Sequence, residues 1–221
     1  MLGKQLLIPL GLAAAFIDGL ALKGMNLGQQ PWFISRASGL VAFALLSAAV
    51  ILGLLMSTKS VNRWLPPRVS HELHGMLSVL SIVFLALHGI ALLFDGFFTF
   101  TPLSLLVPFA SPYQPLWVGL GVIAAWTTAA VAASVRYRKQ MGYARWRRLH
   151  YLSFVAYVLS LVHGMTAGGS DTSLPLVQAL YLGSAGTIAT LLMVRILFER
   201  PVAAAKRMAG RPRQALRDMA R

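Results

Sequence analysis

The stretch HELHGMLSVLSIVFLALHG, residues 71–89, decides how the chain is read. Its apolar run from Met76 to Leu87 carries no charge, yet histidines stand at 71, 74 and 88, so that His74 and His88 are fourteen residues apart. At a helical rise of about 1.5 Å per residue, that step covers roughly 21 Å of a hydrocarbon core about 30 Å thick. A second stretch, WRRLHYLSFVAYVLSLVHG at 146–164, repeats the arrangement with His150 and His163 thirteen residues apart. These two stretches contain all five histidines of the chain.

The composition sets both stretches in a membrane. Of 221 residues, 57% are hydrophobic and 12% charged, far from the balance of a soluble domain. Six segments are apolar enough to cross a bilayer, at 6–22, 32–56, 71–94, 115–135, 149–166 and 174–198. The first is short and holds Pro9 and Asp18. Lys4 and the LAAA run beside it imitate a secretory signal, but no convincing small-residue cleavage site precedes a polar start, so a retained helix is expected. The segments between spans are rich in Pro, Gly, Ser or charge, as turns at a membrane surface are.

Basic residues orient these spans. Of the 20 Lys and Arg residues, only Lys23 and Arg36 fall at one end of the alternating spans, which leaves 18 for the other. Lys59, Arg63 and Arg68 lie between the second and third spans, and Arg136, Arg138, Lys139, Arg145, Arg147 and Arg148 between the fourth and fifth. Positively charged loops are retained on the cytoplasmic side, so an all-α, integral membrane six-helix bundle with both termini cytoplasmic is expected. Residues 1–199 form the membrane domain in this reading, and 200–221 a basic cytoplasmic tail. The net charge of +14 is then a consequence of topology and calls for no nucleic acid.

With that topology the third and fifth spans run parallel, each with one imidazole near the inner surface and one near the outer. Four ligands make two levels: His74 with His150 inside, His88 with His163 outside. A porphyrin iron accepts axial histidines from opposite faces, so the pattern points to two noncovalent b-type haems. A single haem cannot bridge the hydrocarbon core, whereas two levels about 20 Å apart can pass an electron across it. Glycine follows three of the four ligands, at Gly75, Gly89 and Gly164, and would leave room for a flat macrocycle. His71 lies one turn below His74, and using it instead would give a seventeen-residue spacing unmatched in the fifth span.

One geometric difficulty stands out. At about 100° per residue a fourteen-residue step returns to within some 40° of its starting face, while a thirteen-residue step misses by about 140°. Bending, a π-bulge, supercoiling, or haems approaching from different sides would each relieve it.

The paired histidines, PWFISRASGLVAFALL at 31–46 and WRRLHYLSFVAYVLSLVHG resemble the ferric reductase-like transmembrane domain. That family is shared by ferric reductases, NADPH oxidases and the haem-binding subunit MsrQ of a bacterial methionine sulfoxide reductase system, and the resemblance covers about residues 32–198. It implies a six-helix bundle with two haem b groups between the third and fifth helices, taking electrons at the cytoplasmic face and releasing them outside. It also implies that Arg36, an isolated cation near the outer end of the second span, meets a propionate of the outer haem; a snorkelling anchor at the headgroups is the alternative.

Complete reductases and oxidases of that family carry a flavin- and nicotinamide-binding domain after the sixth helix. Here ERPVAAAKRMAGRPRQALRDMAR, residues 199–221, contains no GxGxxG and no strand pattern. Electrons are therefore expected from a separate cytoplasmic flavoprotein, from quinol, or from a flavin bound at the inner face. The acceptor is expected at the outer face of the inner (plasma) membrane: a reductase partner, as for MsrQ, or a small species such as ferric iron or oxygen. A different class, a non-redox transporter or scaffold whose histidines shuttle protons or pack, is the alternative.

Zero cysteines exclude disulfides, Cys-held iron–sulfur clusters and covalent haem attachment. The nine methionines are scattered and read as packing. Trp32, Phe97, Phe98, Phe100, Tyr113 and Trp117 suit an interfacial belt against membrane lipid. Asp95 and Asp171 are the outer acidic residues, and exposed loop carboxylates of this kind rarely bind metal.

Overall fold

The computed structural model of the chain describes residues 29–199. The expected first span at 6–22 and the basic tail at 200–221 lie outside the described residues.

Eight α-helices follow in order among the described residues: α1 Gln30–Ser57, α2 Pro67–Leu92, α3 Pro102–Leu106, α4 Pro115–Ser134, α5 Arg138–Met141, α6 Tyr143–His150, α7 Leu152–Ala167 and α8 Pro175–Val194, with a π turn at Arg195–Glu199. There are no strands among these residues. Among the described residues five segments are long and apolar enough to cross a membrane: α1, α2, α4, the combined stretch Tyr143–Ala167, and Pro175–Leu197. They are the second to sixth spans expected from the sequence.

Proline opens most of these helices, because its missing N–H falls among the donors that a first helical turn leaves unused. Pro67, Pro115 and Pro175 stand at the first residue of α2, α4 and α8, so α2 begins four residues before the expected start at 71. The α6 start is different. Gly142, at φ +78°, takes the left-handed backbone that joins the short basic helix α5 to α6, a conformation that costs a residue with a Cβ.

Hydroxyls along the helices bond back to carbonyls one turn earlier, as Ser47 to Phe43, Thr127 to Ile123 and Thr166 to Val162, each at 2.7 Å. These hydroxyls are thereby satisfied within their own helices, as an apolar surrounding requires. Val79, Leu87, Leu116, Val158 and Leu182 are exposed, the arrangement of helices whose solvent on that side is hydrocarbon.

Packing is built on two antiparallel pairs, α1 with α2 and α4 with α7; α8 closes against α1. Small residues make close approach practicable: Ser35, Ser38, Ala42, Ser47 and Ala49 of α1 are all buried. The core of large side chains lies where α1, α7 and α8 meet, around Phe43, Leu54, Tyr157, Tyr181 and Ile188. Phe43 stacks on Tyr157 at 5.6 Å and 26°, and Tyr157 Oη lies 2.9 Å from Ser184 Oγ. In such a core each buried aromatic needs a partner for its polar tip, and Ser184 provides one.

The fifth span is not one continuous helix, which bears directly on the thirteen-residue mismatch. The chain tightens at Tyr151, whose N–H is shared between the carbonyls of Arg147 and Arg148 at 3.3 Å each, while Phe154 N–H reaches Tyr151 O at 3.1 Å. A three-residue turn advances about 120° per residue instead of 100°, so this break between His150 and His163 removes part of the shortfall.

The connection between α2 and α4 carries the short helix α3, closed at its start by a reciprocal pair of bonds between Thr101 and Ser104. Trp126 Nε1–H of α4 donates to Leu106 O at 2.9 Å and ties this connection down. Trp32, Phe98 and Tyr113 gather at the same end, with ring centres 6.1 Å apart for Trp32–Phe98 and Trp32–Tyr113, and 4.6 Å for Phe98–Tyr113. Phe98 also lies 5.5 Å from Phe97 and 6.3 Å from Phe100, so five of the expected belt residues meet in one cluster, with Phe97 84% exposed at its edge.

Candidate functional site: two histidine pairs at two levels

The structure brings the four histidines together in two pairs. His74 and His150 have ring centres 6.1 Å apart, and so do His88 and His163, with interplanar angles of 66° and 73°. The first pair lies toward the end that holds the basic loops; the second lies toward the end that holds Arg36 and the aromatic cluster. His71 stands apart. Its Nδ1–H donates to Pro67 O in its own helix at 2.7 Å, and the ring is exposed.

Three of the rings are oriented by one repeated device. His74 Nδ1 lies 3.0 Å from Ala49 O, His88 Nδ1 2.8 Å from Ser35 O, and His163 Nδ1 2.9 Å from Trp117 O. A carbonyl can only accept, so Nδ1 of each ring carries the proton and Nε2 keeps its lone pair. Four residues after each accepting carbonyl stands a glycine: Gly53, Gly39 and Gly121. A Cβ added there would come within 3.3 Å of His74, 2.8 Å of His88 and 2.7 Å of His163. The reason is helical geometry: the side chain at i+4 leans back over the carbonyl of residue i, and glycine leaves that oxygen uncovered for the ring.

These glycines were the signal missed in the sequence. Gly39 and Gly53 are separated by the same fourteen residues as His74 and His88, in the helix that packs antiparallel to them. The glycines singled out for following a histidine behave differently from one another. A Cβ at Gly75 or Gly89 would meet nothing within 4 Å, so there is room at both, but Gly164 packs against the Tyr181 hydroxyl and serves the contact between α7 and α8.

His150 departs from the device. Its Nδ1 is buried with no hydrogen-bond partner, and so is Nε1 of Trp146, whose ring stacks on His150 at 5.0 Å and 25°.

The two pairs fit axial ligation of an iron. An imidazole nitrogen binds a metal at about 2.0 Å and lies about 1.1 Å from its own ring centre, so two rings facing across one iron have centres roughly 6 Å apart. Both separations meet that value. Among the described residues no group of three or more His, Cys, Asp or Glu side chains could hold a metal ion. With two imidazoles at each level, an iron held there would need further ligands of its own, which a porphyrin would supply.

Arg36 has partners within the chain. Its Nε lies 2.6 Å from Asp171 Oδ2, an Nη2–H donates to Gly168 O, and the guanidinium sits 5.5 Å from the Trp32 ring centre. Asp171, read from sequence as an ordinary loop carboxylate, is the counter-ion that an isolated arginine in a membrane helix needs. Asp95 accepts from the backbone N–H groups of Phe97 and Phe98 and closes its own turn.

At the opposite, basic end, Arg138 lies 5.3 Å from the Trp146 ring and Arg147 6.0 Å from the Tyr143 ring. Arg147 Nε donates to the Tyr151 hydroxyl at 3.2 Å and Arg195 approaches the same oxygen at 3.5 Å. The basic side chains thus line the helix ends beside His150.

The fold and the apolar helices define a multi-pass membrane protein. The family model described as ferric reductase like transmembrane component matches residues 38–161, more than half of the chain, and the chain belongs to that family. A membrane electron-transfer role is what this membership supports. The matched segment includes His74, His88 and His150, while Arg36 and His163 flank it. Comparison with curated proteins and with solved structures finds no match.

Proposed function

We propose that the protein carries electrons across the membrane through two haem b groups, from a donor at the basic, cytoplasmic face to an acceptor at the outer face of the plasma membrane. The observation that carries this reading is the pair of equal 6.1 Å ring separations at two levels, each suited to one iron. His74 and His150 hold the inner group, His88 and His163 the outer.

A haem bound at each level supplies a one-electron iron couple. The chain does the rest. The carbonyls of Ala49, Ser35 and Trp117 hold three rings in the tautomer that offers Nε2, and such orienting bonds strengthen a histidine as a ligand. The surrounding apolar helices keep water from the interior of the bundle. At the outer end, Arg36 uses Nε and Nη2 for Asp171 and Gly168, and its remaining N–H groups are the part available to a propionate.

The distribution of Lys and Arg supports a cytoplasmic basic end, with residues 200–221 as a tail on that side. Arg138, Lys139, Arg145, Arg147 and Arg148 favour an acidic donor there, which suits a separate flavoprotein better than a neutral quinol, or an anionic flavin at the inner face. At the outer face the acceptor is a reductase partner or a small oxidant such as ferric iron.

The test is direct. Purified in detergent, the protein should show a reduced b-type spectrum after dithionite and about two haems per chain by pyridine haemochrome. A protein produced with adequate haem that shows neither would reject the redox reading in favour of a transporter or scaffold.

A further inference from the structure

We infer that the two levels are unequally held, and that His150 is the exchangeable ligand of the four. This rests on the two-haem reading above and adds to it a difference between the levels.

Three observations converge on it. First, of the four rings only His150 has no hydrogen bond from either nitrogen among the described residues, and its Nδ1 is buried. The His88–His163 level therefore has both rings tied to backbone carbonyls, and the His74–His150 level has one.

Second, the seating device runs out where His150 would need it. His163 is seated on α4 by Trp117 and Gly121, and the position thirteen residues beyond Gly121, matching the step from His163 to His150, is Ser134. Ser134 is the last residue of α4, buried, with its hydroxyl bonded to Val131 O at 2.6 Å. A Cβ stands where the other three sites have none, and the helix ends there.

Third, the backbone under His150 is separate from the helix that carries its counterpart. The ring stands on the last residue of the eight-residue α6, beyond which the chain tightens at Tyr151, whereas His163 lies within the sixteen-residue α7. What fixes the His150 ring is its stack on Trp146, one turn earlier in the same short helix. Stacking limits tilt but supplies no proton acceptor, so the imidazole gains no basicity from it. Loss of such an outer bond typically weakens a histidine ligand 10–100-fold.

The experiment compares the levels in the complete, haem-loaded protein. With two haems confirmed, dithionite-reduced wild type exposed to carbon monoxide should show a spectral change in about half of its haem, since one iron yields a coordination position and the other does not. His74→Ala should reduce the haem count to about one, and the remaining haem should be insensitive to carbon monoxide. His150→Ala should keep close to two haems, with one now high-spin in its absorption and paramagnetic resonance spectra. Insensitivity of both wild-type haems would overturn the inference without touching the two-haem reading. So would equal haem loss from His74→Ala and His150→Ala, or a carbon monoxide-reactive haem that survives His74→Ala. A wild type with fewer than two haems would instead overturn the reading on which the inference stands. The wild-type arm decides the matter even where a variant fails to fold.

Discussion

At Gly121 an added Cβ would stand 2.7 Å from His163 Nδ1, and at Gly39 2.8 Å from His88 Nδ1, distances at which the ring itself must move. The corresponding distance at Gly53 is 3.3 Å to His74, which a small shift relieves, and at Gly183 nothing lies within 4 Å. A graded series follows. Gly121→Val and Gly39→Val should each displace the outer-level ring and bring the haem count from two to about one. Gly53→Ala should leave the count near two with a small shift in the reduced spectrum, and Gly183→Ala should change nothing. Haem content by pyridine haemochrome, normalised to protein, reads the series; equal effects at all four positions would mean that these glycines do not seat the rings.

Between helices, the contact of α7 with α8 depends on Gly164, where a Cβ would run into the Tyr181 hydroxyl. Overpacking at such a point typically costs about 1–3 kcal/mol. Gly164→Ala should accordingly lower the melting temperature of the helical signal in detergent, and Tyr181→Phe in the same chain should restore part of it by removing the oxygen that clashes. No recovery in the double variant would place the strain elsewhere in the contact. The element bounds themselves were legible in the sequence from apolar length and from Pro67, Pro115 and Pro175, because a bilayer fixes how long an apolar run must be. The break at Tyr151 was not legible. Nothing in RRLHYLSF announces it, since no proline or glycine stands there.

For the whole molecule, orientation rests on charge, and the absence of cysteine from the sequence makes it simple to test. Ser60 lies in the exposed basic connection between α1 and α2, and Ser170 in the exposed turn after α7 at the opposite end. In intact cells a membrane-impermeant maleimide should label Ser170→Cys, while Ser60→Cys should react only after permeabilisation. The reverse pattern would turn the protein over and exchange the donor and acceptor faces. The Arg36–Asp171 pair belongs to this scale as well, since it joins the start of α1 to the turn after α7 and closes the bundle at its outer end.

By itself the sequence determined the membrane setting, five of the spans now described, and which four histidines come together. Those properties follow from hydrocarbon thickness and from matched spacings on two helices. It did not disclose Gly39, Gly53 and Gly121 as ring seats, Asp171 as the partner of Arg36, or the unsupported state of His150. Each of these depends on which residue of one helix faces which residue of another. Spacing along a single helix leaves that register open, and only the tertiary packing decides it: α1 on α2, α4 on α6 and α7, and α1 against the turn after α7.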